Sequence, residues 1–121
     1  MTTILVVDDE PDIRMGIRLH LLRAGFDVVE ASGGEECLLQ IASSTPDLVL
    51  LDVMMPRMDG WETLERIRAT TTLPVLMLTA RGLQQDRERG VRSGAQAYLS
   101  KPFDSANLLL EIRTLLAEVD Q

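Results

Sequence analysis

The 121 residues are enough for one domain, and a hydrophobic share of 45% with a charged share of 26% is typical of a globular protein rather than a disordered or collagen-like chain. The apolar runs are far shorter than the about 20 residues that a membrane span requires, so we expect no membrane association. The net charge is −7, and because binding to nucleic-acid phosphates requires surplus lysine and arginine, we expect no direct nucleic-acid binding by this domain.

The acidity is concentrated in one half of the chain, since residues 1–60 hold 11 acids and 4 bases while residues 61–121 hold 8 of each. A cation is therefore the expected ligand. The single cysteine, Cys37, cannot form an intrachain disulfide and fits a reducing compartment. The N-terminus carries acids where a signal peptide carries bases. These features predict a cytoplasmic protein.

Short apolar runs alternate along the chain with longer segments of helical periodicity. Strands are predicted at residues 4–7, 26–31, 48–51, 75–78 and 97–99, and helices at residues 12–23, 35–42, 61–68, 83–92 and 105–119. Five strand–helix units in succession predict an α/β fold with a parallel sheet covered by helices on both faces. No linker separates the units, so we expect one domain over residues 1–121.

Local signals mark several helix ends. The pairs Ser32/Glu35 and Asp59/Glu62 have the spacing of capping boxes, in which a polar side chain and a glutamate satisfy the first amides of a helix. Gly25 follows the first helical segment and is expected to end it.

Polar residues follow four of the five predicted strands: Asp8 and Asp9 the first, Asp52 the third, Thr79 the fourth and Lys101 the fifth. The carboxyl ends of parallel strands meet at one edge of the sheet, where ligands bind. Three converging carboxylates repel one another unless a cation joins them, and Mg²⁺ prefers oxygen ligands. The sequence therefore predicts a Mg²⁺ site at which a carboxylate acts as nucleophile toward phosphorus.

Lys101 is the only lysine in the chain and directly precedes Pro102. A compact ammonium on a long stem reaches a phosphoryl oxygen as a point charge, which a planar guanidinium does less easily. The proline indicates a fixed turn that aims the lysine, and we expect a cis Lys101–Pro102 bond.

Four segments carry a family resemblance. The stretches VVDDEPDIR, PDLVLLDVMMPRMDG, PVLMLTA and GAQAYLSKPF, in this order, resemble the receiver domain of bacterial two-component response regulators over nearly the whole chain. In motif they are most similar to the receivers of winged-helix transcription factors. The resemblance implies a flavodoxin-like (βα)5 doubly wound sheet with strand order 2-1-3-4-5.

The resemblance also implies a role for each acid. Asp52 is expected to accept a phosphoryl group from a sensor histidine kinase or a phosphotransfer protein. Asp9 and Asp52 are expected to bind Mg²⁺ directly, Asp8 through water, and the backbone carbonyl of Met54 to complete the protein ligands.

The remaining implied roles concern the switch. Lys101 is expected to contact a phosphoryl oxygen, Thr79 to turn toward another after phosphorylation, and Tyr98 to follow by turning inward. The change is expected to reach the face formed by the fourth helical segment, the fifth strand and the last helix, for an output domain or protein partner. The domain is thus expected to be a signalling module, not an enzyme beyond its own phosphorylation and slow autodephosphorylation.

Some positions depart from the family pattern. Receivers of winged-helix transcription factors usually have two acids before the tyrosine and an arginine within the last helix, where this chain has Gln96, Ala97 and Glu111. A monomer and a phosphorylation-dependent dimer are therefore both open. By the same resemblance, Met54 and Arg81 suggest a long-lived phosphoryl group.

Plainer interpretations are open for the same residues. Asp8 and Asp9 are suited to cap the helix that begins near Pro11, while Thr79 and Tyr98 are suited to ordinary packing at strand ends. Leu110 is predicted on the exposed face of the last helix, either as a single surface leucine or as part of a partner patch.

Two other functional classes are also open. A Mg²⁺-dependent phosphatase that forms an aspartyl phosphate usually has an acid two residues after its nucleophile, where this chain has Met54. An interaction domain that works without phosphorylation is expected to lack one of the five site residues, and none is lacking. Whether the chain stands alone or belongs to a longer protein is left open.

Overall fold

The structure is a computed structural model that describes residues 2–80 and 94–119. The strands are β1 (Thr3–Val7), β2 (Asp27–Ala31), β3 (Leu48–Asp52), β4 (Val75–Ala80) and β5 (Ala97–Lys101), and the helices are α1 (Pro11–Arg23), α2 (Gly34–Ser44), α3 (Gly60–Thr70) and α4 (Ser105–Val119). The helical segment predicted at residues 83–92 and the role suggested for Arg81 lie outside the described residues.

The strands form one parallel sheet in the order β2-β1-β3-β4-β5, which confirms the predicted fold class. Val6 in β1 is paired with Glu30 on one side and with Leu50 on the other. At the far edge, β5 continues the register, with Ala80 opposite Lys101. The ends of β1, β3, β4 and β5 therefore lie side by side at the carboxyl edge of the sheet.

Two hydrophobic cores lie on opposite faces of the sheet. One core joins alternate strand residues such as Leu5, Val49 and Met77 to α2 and α3. The other joins the intervening residues, such as Ile4 and Leu50, to α1 and α4. Because both faces of the central strands are covered, these strands read in the sequence as continuous apolar runs rather than as alternating patterns.

The predicted stop signal after α1 is confirmed. Gly25 has a φ of +94°, in the left-handed region that favours glycine. The amide of Gly25 donates to the Leu22 carbonyl and the amide of Phe26 to the Leu21 carbonyl, each at 3.1 Å. This is the Schellman pattern, and it returns the chain toward β2.

The N-terminus of α3 packs tightly against the end of β3. Asp59 is the N-cap, and its Oδ1 accepts from the amide of Glu62 at 2.9 Å, as the predicted capping box requires of the aspartate. A Cβ atom on the next residue, Gly60, would lie 2.4 Å from the carbonyl oxygen of Asp52 and 2.7 Å from the Cα of Val53. Only glycine fits there without displacing the backbone that carries Asp52.

The capping box predicted for Ser32 and Glu35 is wrong. Gly33 is the N-cap of α2, and no side chain caps it. The amide and the hydroxyl of Ser32 instead donate to Glu36, at 3.2 and 2.7 Å. Because α2 begins one residue later than the pattern requires, the glutamate that reaches back is one position further along the helix.

Two helical side chains differ in burial. Cys37 is fully buried in the core beneath α2, and this burial raises the pKa of its thiol to about 12. Leu110 is 62% exposed on α4, as its position on the helix predicts.

Among the described helices, none has the length and apolar character needed to cross a bilayer.

Candidate functional site at the carboxyl edge of the sheet

Three carboxylates converge at the carboxyl edge, as the sequence predicts. Asp8, Asp9 and Asp52 each offer one oxygen, and these oxygens all lie within 4.8 Å of one another. We call this set the acidic cluster. Asp8 and Asp9 follow β1, and Asp52 ends the neighbouring strand β3, so the sheet order itself brings the acids together.

Asp8 is held by its backbone and by one of its two carboxylate oxygens. Its amide donates to the Ala31 carbonyl at 3.2 Å, and its Oδ1 accepts from the amide of Glu10 at 2.9 Å. Its Oδ2 is buried and has no hydrogen-bond partner among the described residues. Glu10, not an aspartate, is the N-cap of α1, and no side chain caps that helix. The interpretation of Asp8 and Asp9 as helix caps is therefore wrong.

Asp52 is nearly fully buried, with only 4% of its surface exposed. Its Oδ1 accepts from Lys101 Nζ at 3.1 Å and from the amide of Met54 at 3.4 Å. Burial raises the pKa of Asp52, the charge of Asp8 raises it further, and the ammonium of Lys101 opposes both effects. Ionised Asp52 is therefore stabilised only in part by its surroundings.

Lys101 links two of the acids from the end of β5. Besides its contact with Asp52, its Nζ lies 3.7 Å from Asp8 Oδ2, and 29% of its side chain is exposed. The Lys101–Pro102 bond is cis, as predicted. The only lysine of the chain thus lies in contact with two carboxylates of this edge.

Thr79 lies near the end of β4, opposite Ser100 of β5. It is fully buried, and its Oγ1 has no hydrogen-bond partner among residues 2–80 and 94–119. A buried hydroxyl without a partner costs free energy, about 1–3 kcal/mol in proteins. A buried hydroxyl with no partner among the described residues is suited to donate a hydrogen bond to a ligand at this edge.

Tyr98 and Met54, the other two residues predicted at the site, differ in their surroundings. Tyr98 is half-buried and packs against the core beneath α2 and α3. Tyr98 lies in β5, next to the strand that carries Thr79, and its inward turn on phosphorylation stays a prediction. Met54 brings its amide to Asp52, while its side chain is 70% exposed.

Sequence reasoning missed two residues that support the acidic cluster. Arg14 Nη1 donates to the backbone carbonyl of Asp8 at 2.7 Å, and Arg14 Nε donates to Glu30 at 3.0 Å. The second residue is Gly60, whose missing side chain lets α3 approach Asp52. No local pattern signals either role, because both depend on how a helix packs against the sheet.

The acidic cluster fits a hard divalent cation. All three donors are carboxylate oxygens, Asp8 Oδ2 is buried without a hydrogen-bond partner among the described residues, and the pKa of Asp52 is raised. Mg²⁺ binds such sites through one or two carboxylates and keeps several water ligands. The residues present therefore suit the cation that the sequence predicts.

Comparison with known proteins identifies the family. Residues 4–113 match the family described as the response regulator receiver domain. The chain belongs to this family. Phosphorylation-activated signalling is the known function of receivers, so the predicted class of signalling domain, rather than enzyme, is confirmed.

Individual relatives agree with this placement. Response regulator MprA of Mycolicibacterium vanbaalenii is 47% identical over 114 residues, which cover 93% of this chain and 49% of that protein. The DNA-binding dual master transcriptional regulator RpaA of Synechocystis sp. is 41% identical over 124 residues, which cover 100% of this chain and 52% of that protein. The receiver thus spans about half the length of these curated relatives.

The fold is shared with solved receivers. A two-component response regulator from Clostridium difficile superposes with a TM-score of 0.94 at 27% identity, and the match covers 100% of both chains. The likeness to receivers of transcriptional regulators, expected from the motifs, is confirmed by the names of the curated relatives.

Proposed function

We propose that this receiver is a switch in which Asp52 accepts a phosphoryl group from a phosphohistidine of a sensor histidine kinase or phosphotransfer protein. The observation that carries the proposal is the setting of Asp52, a buried carboxylate in contact with the only lysine and within reach of two further acids. The raised pKa of Asp52 adds support, because a desolvated and more basic carboxylate is, once ionised, a better nucleophile than one fully paired.

Asp8, Asp9, Asp52 and the backbone carbonyl of Met54 are the residues that would hold Mg²⁺. When bound, the ion supplies charge neutralisation for the carboxylates and for the incoming phosphoryl oxygens. Asp8 Oδ2 supports this assignment, because it is buried without a hydrogen-bond partner among the described residues.

The transfer itself forms one bond and breaks another. A carboxylate oxygen of Asp52 attacks phosphorus, the P–N bond to the phosphohistidine breaks, and its electron pair returns to the imidazole nitrogen. Lys101 Nζ, 3.1 Å from Asp52 Oδ1 before the reaction, stays close enough to contact a phosphoryl oxygen of the product. The side chain of Lys101 thus exchanges one anionic partner for another.

Thr79 and Tyr98 carry the change outward in this proposal. The hydroxyl of Thr79, buried without a partner among the described residues, donates to a second phosphoryl oxygen. Movement of Thr79 opens space along its face of the sheet, and Tyr98 turns inward to fill it. The new anion thereby biases a two-state surface that includes β5 and α4.

The output is proposed to be a further domain or a partner protein that reads this surface. By analogy with relatives that are named transcriptional regulators, the proposed output controls transcription. A monomer that dimerises on phosphorylation and a cytoplasmic location are parts of the same proposal. The exposed side chain of Met54 supports a phosphoryl group of long lifetime, since it can shield the path of attacking water.

Intact-mass spectrometry after incubation with Mg²⁺ and acetyl phosphate tests the proposal. We expect the wild-type protein to gain the mass of one phosphoryl group. Asp52→Asn and chelation of Mg²⁺ should each prevent this gain, whereas Asp27→Asn, a change at an exposed aspartate of β2, should not. A folded wild-type protein that gains no mass would contradict the proposal.

A further inference from the structure

The side chain of Arg14 joins three elements directly behind the acidic cluster. From α1, its Nη1 donates to the Asp8 carbonyl at the end of β1, at 2.7 Å. Its Nε donates to Glu30 of β2, at 3.0 Å. Only 19% of the Arg14 side chain is exposed, so these contacts are better shielded from water than an ordinary surface ion pair.

The contact with the Asp8 carbonyl fixes more than Asp8. A carbonyl, the next amide nitrogen and the next Cα share one plane, so a held Asp8 carbonyl also sets the backbone of Asp9. Asp8 is further held by its amide, bonded to the Ala31 carbonyl, and by Oδ1, bonded to the amide of Glu10. With the backbone and Oδ1 held, Asp8 Oδ2 remains as the oxygen available to a cation.

An arginine suits this position better than a lysine. Its rigid fork satisfies a backbone carbonyl and a carboxylate at the same time, whereas an ammonium is a point charge on a flexible stem. Glu30 holds the fork in place, and a second arginine, Arg18, lies 3.8 Å from the same glutamate. Within the described part of the chain, Glu30 is the only charged partner of Arg18.

We propose that Arg14, held by Glu30, is a positioning residue that aims the carboxylates of Asp8 and Asp9 at the cation shared with Asp52. The proposal rests on the proposed function, because it assumes that the acidic cluster binds Mg²⁺. It assigns to Arg14 a role in the affinity for the metal rather than in phosphoryl transfer.

The charge of Arg14 makes the proposal easy to separate from simple electrostatics. Removing a cation near an acidic site lowers the local positive potential, so by charge alone Mg²⁺ should bind more tightly to Arg14→Gln. If Arg14 positions the acids, the variant should bind Mg²⁺ more weakly. The sign of the change distinguishes the two explanations.

The experiment is a Mg²⁺ titration of ¹⁵N-labelled protein, followed through the amide signals of Asp9 and Glu10. We expect Arg14→Gln to raise the dissociation constant for Mg²⁺ about tenfold, as is usual when a residue that orients a metal ligand is removed. Arg14→Lys, which keeps the charge, should raise it by a smaller factor. The matched control is Arg18→Gln, which loses a contact with Glu30 but none with Asp8, and which should stay within about twofold of wild type.

The rate of phosphorylation by acetyl phosphate distinguishes a change in Mg²⁺ affinity from a change in the reactivity of Asp52. At saturating Mg²⁺, the rate at which acetyl phosphate modifies Arg14→Gln should approach the wild-type rate, whereas at low Mg²⁺ it should fall well below. A rate that stays low at saturation would place Arg14 in the transfer step and contradict a positioning role.

Unchanged or tighter Mg²⁺ binding by Arg14→Gln would overturn the inference, as would equal weakening in Arg18→Gln. If Arg14→Gln fails to fold, the charge-conserving Arg14→Lys decides the question by the same comparison with wild type. Failure of the proposed function gives a different result, because the wild-type protein itself would then not bind Mg²⁺ or would bind it without gaining a phosphoryl group.

Discussion

The two edges of the sheet differ in how completely their polar groups are paired. At the amino edge, Arg68 of α3 donates to the carbonyl of Gly94 at 2.8 Å, to the carbonyl of Thr71 at 3.4 Å, and to the side chain of Gln96. The same Gln96 oxygen accepts from the amide of Val75 at 2.8 Å. This network ties α3 to the starts of β4 and β5.

The carboxyl edge has the opposite character. Among residues 2–80 and 94–119, the buried side-chain atoms without a hydrogen bond are Asp8 Oδ2 and Thr79 Oγ1, and both lie at this edge. Asp52 adds a buried carboxylate with a raised pKa. Buried polar groups in natural proteins are usually hydrogen-bonded, and a ligand is one partner that can complete such groups. The network at the amino edge therefore stabilises the fold, whereas the described residues of the carboxyl edge leave two buried atoms without a hydrogen bond.

The largest expected change in the free energy of unfolding comes from a substitution at the point where α3 meets the carboxyl edge. Gly60→Ala places a Cβ 2.4 Å from the Asp52 carbonyl oxygen, and the fixed backbone on both sides leaves little room to adjust. We expect a loss of about 3 kcal/mol in the free energy of unfolding, measured by urea denaturation, because overpacked sites typically cost this much.

Gly16→Ala is the matched control for Gly60→Ala. Gly16 lies within α1, and a Cβ there meets no atom within 4 Å. Alanine favours a helix over glycine, so this variant should gain about 0.5–1 kcal/mol. Equal changes in unfolding free energy for the two substitutions would show that the backbone at Asp52 leaves room for a Cβ at Gly60.

The next largest change in the free energy of unfolding is expected for a substitution at the amino edge. Arg68→Ala should cost about 2 kcal/mol of unfolding free energy, because it removes several hydrogen bonds from a partly buried guanidinium. It should leave Mg²⁺ binding and the phosphorylation of Asp52 unchanged. Arg66→Ala, which loses one exposed ion pair with Glu62 at 3.9 Å, should stay within about 0.5 kcal/mol of wild type. Loss of phosphorylation in folded Arg68→Ala would contradict a separation between the two edges.

The smallest expected change in the free energy of unfolding is that of a substitution at Asp52, at the carboxyl edge. In the absence of Mg²⁺, Asp52→Asn should be more stable than wild type by about 1 kcal/mol at neutral pH, since it removes a buried charge whose folded-state pKa is raised. Added Mg²⁺ should stabilise the wild-type protein and leave the variant almost unchanged.

The pH dependence of this difference has a definite sign. Below the ordinary carboxyl pKa of about 3.9, Asp52 is protonated in both the folded and the unfolded state, so it contributes no difference. As the pH rises, the unfolded chain loses its proton first, and stability falls until Asp52 also ionises in the folded state. The advantage of Asp52→Asn should therefore grow from low pH to neutrality. A constant difference, or one that shrinks, would show that the pKa of Asp52 is not raised.

Much of the fold and of the site could be predicted from the sequence. Strands such as Leu48–Asp52 are buried on both faces, so their apolar runs identify them directly. The polar residues that follow those runs meet because parallel strands end at one edge, and Asp8, Asp9, Asp52 and Lys101 are indeed brought together.

Contacts between distant elements could not be predicted in the same way. The bonds that Arg14 makes to Asp8 and to Glu30, which is 16 positions further along, depend on how α1 lies against the sheet. The network around Arg68 and Gln96 likewise spans 28 positions. The capping box predicted at Ser32 is wrong for a local reason, because α2 begins one residue later than its sequence pattern suggests.

The central claim is that Asp52, among three neighbouring acids, is the one that takes the phosphoryl group. Borohydride reduces an aspartyl phosphate to homoserine, so treatment of the phosphorylated protein followed by peptide sequencing by mass spectrometry locates the modified residue. We expect homoserine at position 52 and unmodified aspartate at positions 8 and 9. Homoserine at Asp8 or Asp9, or none in protein that is folded and has gained a phosphoryl group, would contradict it.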